Sequence, residues 1–232
     1  MERSIIINVE ITAITGENVR QTYVRERLAK RLEKRFGKNE PIFMKEIIEA
    51  WSEYSESSVY KTVRELCEDG MLMKKVPGVY YIPEETAYGE GELSLDTMTV
   101  VEKRYIKNGG KVLGYYSGQT LMNKMGLSDL VPDTDEIVTV NETTTVRTVM
   151  IDGSKVKLRR AKIKINEKNA PVMQLLEIFN RYDGPLTEQQ RDDIAAMAGG
   201  KIDKDVLKEC AKYFPRLALQ NLRNSGLFKI LL

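Results

Sequence analysis

Ser57, Ser58, Tyr60, Lys61 and Arg64 put hydroxyls, a phenol and two cations within two turns of a prospective helix, and Lys74 and Lys75 add two cations near a Pro77-Gly78 turn. Groups of this kind grip rather than cleave. Hydroxyls and ammonium groups bond phosphate oxygens, and a guanidinium or ammonium can reach the acceptor edge of a guanine in the major groove. A second basic set lies upstream, where Arg27, Lys30, Arg31, Lys34 and Lys38 gather on one side of a helical pattern. The same residues also suit a solvated polar face, the ordinary reason for a charge run, and spacing alone leaves both readings open.

Side chains that break bonds are scarce. The chain has no histidine, which removes the commonest general base, metal ligand and partner of a Ser or Cys nucleophile. Its two cysteines, Cys67 and Cys210, stand far apart in helical patterns and suggest neither a disulfide nor a zinc pair, which fits a reducing cytoplasm. Two Gly-Gly-Lys triplets fail as phosphate loops. Tyr105 and Ala195 stand where the first glycine belongs, and Val112 and Ile202 where Ser or Thr would hold magnesium, so both triplets read as helix C-caps. Pro132-Asp133 ahead of a lysine-rich hairpin suggests a restriction-type nuclease, but Lys155 to Ile165 carries no acid to complete a Mg²⁺ site. Neither an enzyme nor a metal or other cofactor is expected.

These residues need elements to position them, and the 232-residue chain is long enough for two modest domains. A net charge of +2 does not announce nucleic-acid binding, but the distribution is uneven. Residues 20–38 hold eight cations against Glu26 and Glu33, whereas residues 84–96 hold only acids. No apolar run is long enough to span a membrane, and none is expected to. Residues 1–21 read as an arm or strand, because Asn8 and Glu10 interrupt the isoleucines of a signal-like stretch.

The domain over residues 22–84 is predicted to hold three helices and a hairpin. A stripe of Val24, Leu28, Leu32 and Phe36 predicts a helix from Thr22 to Phe36, stopped by Gly37. A short helix from Phe43 to Trp51 follows, then a serine-rich cap and a third helix from Ser57 to Asp69, with Val59, Val63, Leu66 and Cys67 inward. Met71–Val76 and Val79–Ile82 form the hairpin. Three helices followed by a basic hairpin is the winged-helix order, in which the third helix enters the major groove.

A glycine- and acid-rich linker, residues 85–95, leads to an α/β domain over 96–232. Its expected elements are a helix over Asp96–Lys107, a strand over Lys111–Tyr116 and a helix over Ser117–Met125. Strands over Glu136–Val140, Thr143–Ile151 and Lys155–Ile165 form an antiparallel sheet, with an Asp152-Gly153 turn and a bulge near Arg160 where the apolar phase switches. C-terminal helices cover Pro171–Tyr182, Thr187–Met197 (with Thr187 and Gln190 as a capping box), Lys204–Phe214 and Pro215–Asn224, and Leu227–Leu232 reads as a last strand. The fold class is therefore α+β, a winged helix followed by an α/β domain with C-terminal helices.

Ile42 to Pro83, with Ser58-Val59-Tyr60-Lys61-Thr62-Val63-Arg64-Glu65-Leu66, Glu68-Asp69-Gly70 and Pro77-Gly78-Val79-Tyr80-Tyr81-Ile82-Pro83, resembles the N-terminal winged helix of AbiEi-like antitoxins. Tyr115-Tyr116-Ser117-Gly118-Gln119-Thr120-Leu121, Met125-Gly126-Leu127-Ser128, Val131-Pro132 and Lys162-Ile163 are similar to that family's second domain, and Lys212-Tyr213-Phe214-Pro215-Arg216 to its helical C-terminal part. The resemblance implies an antitoxin of a type IV toxin–antitoxin (abortive infection) system. Such a protein represses its own operon at inverted repeats in the promoter and counters a nucleotidyltransferase-like toxin without a tight complex. A cytoplasmic monomer or weak dimer, cooperative on DNA, is expected. The rival reading is a protein-binding module in which the winged helix is a scaffold and the basic strand over residues 155–165 docks an acidic partner.

Overall fold

The computed structural model describes residues 23–84 and 94–231. The arm over residues 1–21, and nearly all of the linker over 85–95, lie outside them. The architecture is mixed α+β, and the chain divides into two compact units, Met1–Thr99 and Val100–Leu232.

In the first unit α1 occupies residues 23–36 and is followed by β1 (Ile42–Phe43), α2 (Met44–Ala50), α3 (Glu56–Glu68), β2 (Met73–Val76) and β3 (Val79–Tyr81). The expected three helices and hairpin are present. The two-residue strand β1 was not anticipated; it pairs antiparallel with β3, so the sheet order is β1-β3-β2. The core collects Leu28 and Leu32 of α1, Ile47 of α2, Val59, Val63 and Leu66 of α3, and the fully buried Trp51. Leu28, Leu32 and Phe36 of the expected stripe join the core, whereas Val24, near the start of α1, is exposed.

The second unit is built on a four-stranded sheet. After α4 (Thr97–Tyr105) a short hairpin, β4 (Lys107–Asn108) and β5 (Lys111–Val112), turns through Gly109 and Gly110 at positive φ. The first Gly-Gly-Lys triplet is thus a hairpin turn and not a helix cap. The second does end a helix, with Gly199 and Gly200 left-handed after α7 (Glu188–Met197).

β6 (Gly114–Tyr116), α5 (Gly118–Lys124), β7 (Asp135–Thr139), β8 (Val146–Ile151) and β9 (Ser154–Arg160) give the sheet order β6-β7-β9-β8. The sheet is mixed where an antiparallel one was expected, because β7 and β9 run parallel while β8 lies outside β9. The connection from β7 must therefore step across the end of β9. It is pinned by Glu142, a buried carboxylate that accepts from Thr143 N (2.8 Å), Thr144 N (2.9 Å), Thr144 Oγ1 (2.8 Å) and Arg147 Nε (3.0 Å). Asp152 and Gly153 form the β8–β9 turn, both at positive φ, as the type I′ signature requires. β9 ends at Arg160, so the phase switch there marks the end of a strand and no bulge. On β8 the side chains of Val146 and Met150 are exposed.

The segment Gly114 to Thr120 locks α5 onto the sheet. Tyr115 is buried in the core. Thr120 Oγ1 accepts from Glu136 N (2.9 Å), Glu136 Oε1 accepts from Gln119 N (3.3 Å), and Gln119 Nε2 donates to Ser128 Oγ (2.6 Å). The central helix α6 (Ala170–Phe179) is buried at most of its residues. Its one buried acid, Glu177, accepts from Arg159 Nη2 at 2.6 Å. Thr187 and Gln190 form the expected capping box of α7. Then come α8 (Lys204–Ala211), α9 (Arg216–Asn224) and α10 (Leu227–Leu231). The C-terminal run is a helical turn rather than a strand. Leu227 and Leu231, one turn apart, are both buried in the core, a pattern too short for periodicity to distinguish from a strand.

Candidate nucleic-acid interface

The interface begins with the way α3 starts. Ser55, in extended backbone, is the N-cap, and its Oγ accepts from Ser58 N at 3.3 Å. The helix thus begins a residue earlier than the spacing predicts, and Ser57 and Ser58 fall in its first turn. Their hydroxyls cluster with the cap, Ser55 Oγ lying 3.1 Å from Ser57 Oγ and 2.8 Å from Ser58 Oγ. The serine-rich stretch is expected to cap the helix, and Ser55 is the serine that does so.

From there the helix divides cleanly. Val59, Val63 and Leu66 are at most 2% exposed. On the opposite side Tyr60 is 53% exposed, and the side chains of Lys61 and Arg64 are 68% and 72% exposed. Each cation has an acid one turn on, Lys61 Nζ at 3.8 Å from Glu65 and Arg64 Nε at 3.7 Å from Glu68. Exposed pairs at this spacing are worth about 0.3–0.5 kcal/mol and open readily for a better anion.

The hairpin follows α3 in the same unit. Lys74 pairs across the ladder with Tyr80, and the register shifts between Lys74 and Val76, so Lys75 is the extra residue of a bulge. Lys74 is exposed and Lys75 half-buried. Burial pushes the Tyr80 phenol above its ordinary value, and Cys67 and Tyr60 push the same way. Burial likewise raises the Cys67 thiol, while the charge of Lys74 opposes the rise. Tyr60, Cys67, Tyr80 and Lys74 are therefore electrostatic neighbours, and Cys67 and Tyr80 both pack against the core of this unit.

The cations of α1 have other settings. Arg31 forms an ion pair with Glu53 and donates to Ala50 O at 2.6 Å, so it holds the C-terminal end of α2 and the turn into α3. The bond to Arg31 is the main cause lowering the Glu53 carboxyl, and Arg27 contributes more weakly. Arg27 is exposed. Arg25 reaches α3, with Nε 3.2 Å from Asp69 and Nη1 3.8 Å from Glu65. Sequence spacing could not reveal these pairs, since their members lie tens of residues apart.

Among the described residues no three His, Cys, Asp or Glu side chains gather as metal ligands, and no helix is long and apolar enough to cross a membrane. Compared with known proteins, the chain matches no family model and no curated sequence.

Proposed function

We propose that the chain binds duplex DNA as a winged helix, with α3 in the major groove and the β2–β3 hairpin as the wing on the backbone, and that it represses its own promoter as the antitoxin of a type IV toxin–antitoxin pair. The observation that carries the DNA reading is the division of α3. Its apolar residues are buried, and Ser57, Tyr60, Lys61 and Arg64 are exposed, as is Lys74 on the hairpin. Arg64 and Lys61 are the base readers, the serines donate to phosphates, and Lys74 and Lys75 hold backbone from the wing. Arg27 adds a phosphate contact, while Arg31 acts by fixing the turn that leads into α3. The antitoxin part rests on the resemblance carried by Tyr115–Leu121 and Lys212–Arg216.

A gel-shift series on the chain's own promoter tests the reading. Arg64→Ala is expected to cost about 1–3 kcal/mol and to relax sequence preference at one position. Lys74→Ala weakens binding to all sequences alike and lowers the salt slope by about one. Unchanged affinity and preference in Arg64→Ala would remove α3 from the groove. For the antitoxin part, co-expression with the product of the adjacent gene is expected to restore growth without the two proteins co-purifying.

A further inference from the structure

The C-terminal helices enclose a groove of about 1470 Å³ that the DNA reading does not use. Its floor is apolar, including Leu207, Phe214, Leu219 and Phe228. Its rim carries Lys204, Lys208, Lys212, Arg216, Arg223 and Lys229, and no acid lines it. On α8 the lysines recur every fourth residue, and on the facing wall Arg216 and Arg223 are two turns apart. Like charges one turn apart repel and destabilise a helix. Lys212 has a partner in Glu209, and Arg223 lies over the Phe228 ring. Lys204, Lys208, Arg216 and Lys229 make no ion pair among the described residues. Two basic walls thus flank an apolar floor, and an occupant that is apolar on one stripe and acidic on both sides would relieve the repulsion.

We infer that this groove docks an acidic amphipathic helix of a partner protein. Helix-in-groove recognition places apolar residues at i, i+3, i+4 and i+7 in the floor and leaves the flanks for charge. Walls of eight and nine residues are about 12–14 Å long, which suits two to three turns of a docked helix. A nucleic-acid backbone fits less well, because it would set phosphates over Leu219 and Phe228. The apolar floor supplies affinity, and the rim supplies sign and encounter rate.

The test is fluorescence anisotropy of the full chain with a labelled peptide of about eighteen residues, leucines and phenylalanines at helical spacing and glutamates elsewhere, since shorter peptides fold poorly in water. Saturable binding is expected, at least about tenfold tighter than to a scrambled peptide of the same composition. The exposed pair Lys208→Glu with Arg216→Glu is expected to weaken it about tenfold or more and to create binding for a lysine-flanked peptide. Should that variant misfold, Lys208→Gln with Arg216→Gln is expected to flatten the salt dependence. Absence of saturable binding, equal binding of the scrambled peptide, or indifference to both variants overturns the inference. So does displacement of the peptide by polyphosphate or unrelated duplex DNA at equal charge, which would make the groove a general anion surface.

Discussion

Three single residues carry more of this structure than their size suggests. A Cβ on Gly114 would overlap the carbonyl oxygens of Val138 and Tyr105, and one on Gly118 would overlap the Glu136 carboxylate at a backbone φ of +57°. The carbonyl of Val138 belongs to a paired strand and that of Tyr105 to the end of α4, and neither can swing aside freely, so Gly114→Ala is expected to cost about 3 kcal/mol, read as a lower urea midpoint at unchanged slope. Glu142 is the third. Its carboxyl is held at about 2, chiefly by the backbone N–H of Thr144 and then by that residue's hydroxyl, with burial opposing. The unfolded carboxyl titrates near 4.5, so on acidification the unfolded chain takes up the proton first. The stabilisation is therefore complete above about pH 5 and is lost as pH falls from about 4.5 toward 2. Glu142→Gln is expected to lack that stretch of acid sensitivity and to cost about 1–3 kcal/mol at neutral pH, as urea midpoints at pH 7 and pH 3 would register. None of these needs was legible locally. Gly118 is a glycine because of Glu136, eighteen residues on, and Glu142 pins a crossover that exists only because β9 slots between β7 and β8.

At the scale of elements, legibility followed the length of the repeating pattern. The helix α3 showed its buried and open sides in the sequence because three apolar residues recur over about two turns, and the Thr187–Gln190 box marked the start of α7. Shorter or non-local features stayed hidden. β1 is two residues long, the parallel pairing of β7 with β9 is a matter of strand order, and the C-terminal turn reads equally as strand or helix until Leu227 and Leu231 are seen in the core. The cap of α3 belongs to this scale, since it sets where the helix begins and so which way Lys61 and Arg64 project. Ser55→Ala is expected to cost about 1 kcal/mol. Trp51, the one tryptophan of the chain, is buried in the same core and reports the loss by fluorescence during urea unfolding.

For the whole molecule, the near-neutral charge hides a local asymmetry that a salt titration would expose. If Arg27, Lys74 and Lys75 each neutralise a phosphate, log K should fall with log salt at a slope of about −3 per bound chain. A markedly steeper slope would mean that cations outside this set also neutralise phosphates. Composition made the α+β class and the scarcity of catalytic side chains readable, but not which cations are already engaged, since Arg25 and Arg31 find their acids only through the fold. One consequence of the sheet order concerns handling in solution. Among the described residues β8 is hydrogen-bonded on one side only, so its outer row of amides and carbonyls, with Val146 and Met150 beside it, is a template on which stray extended chains can nucleate. Concentrated samples are expected to precipitate from this rim first. Met150→Lys should raise the solubility ceiling without shifting the melting temperature, as light scattering during concentration would reveal.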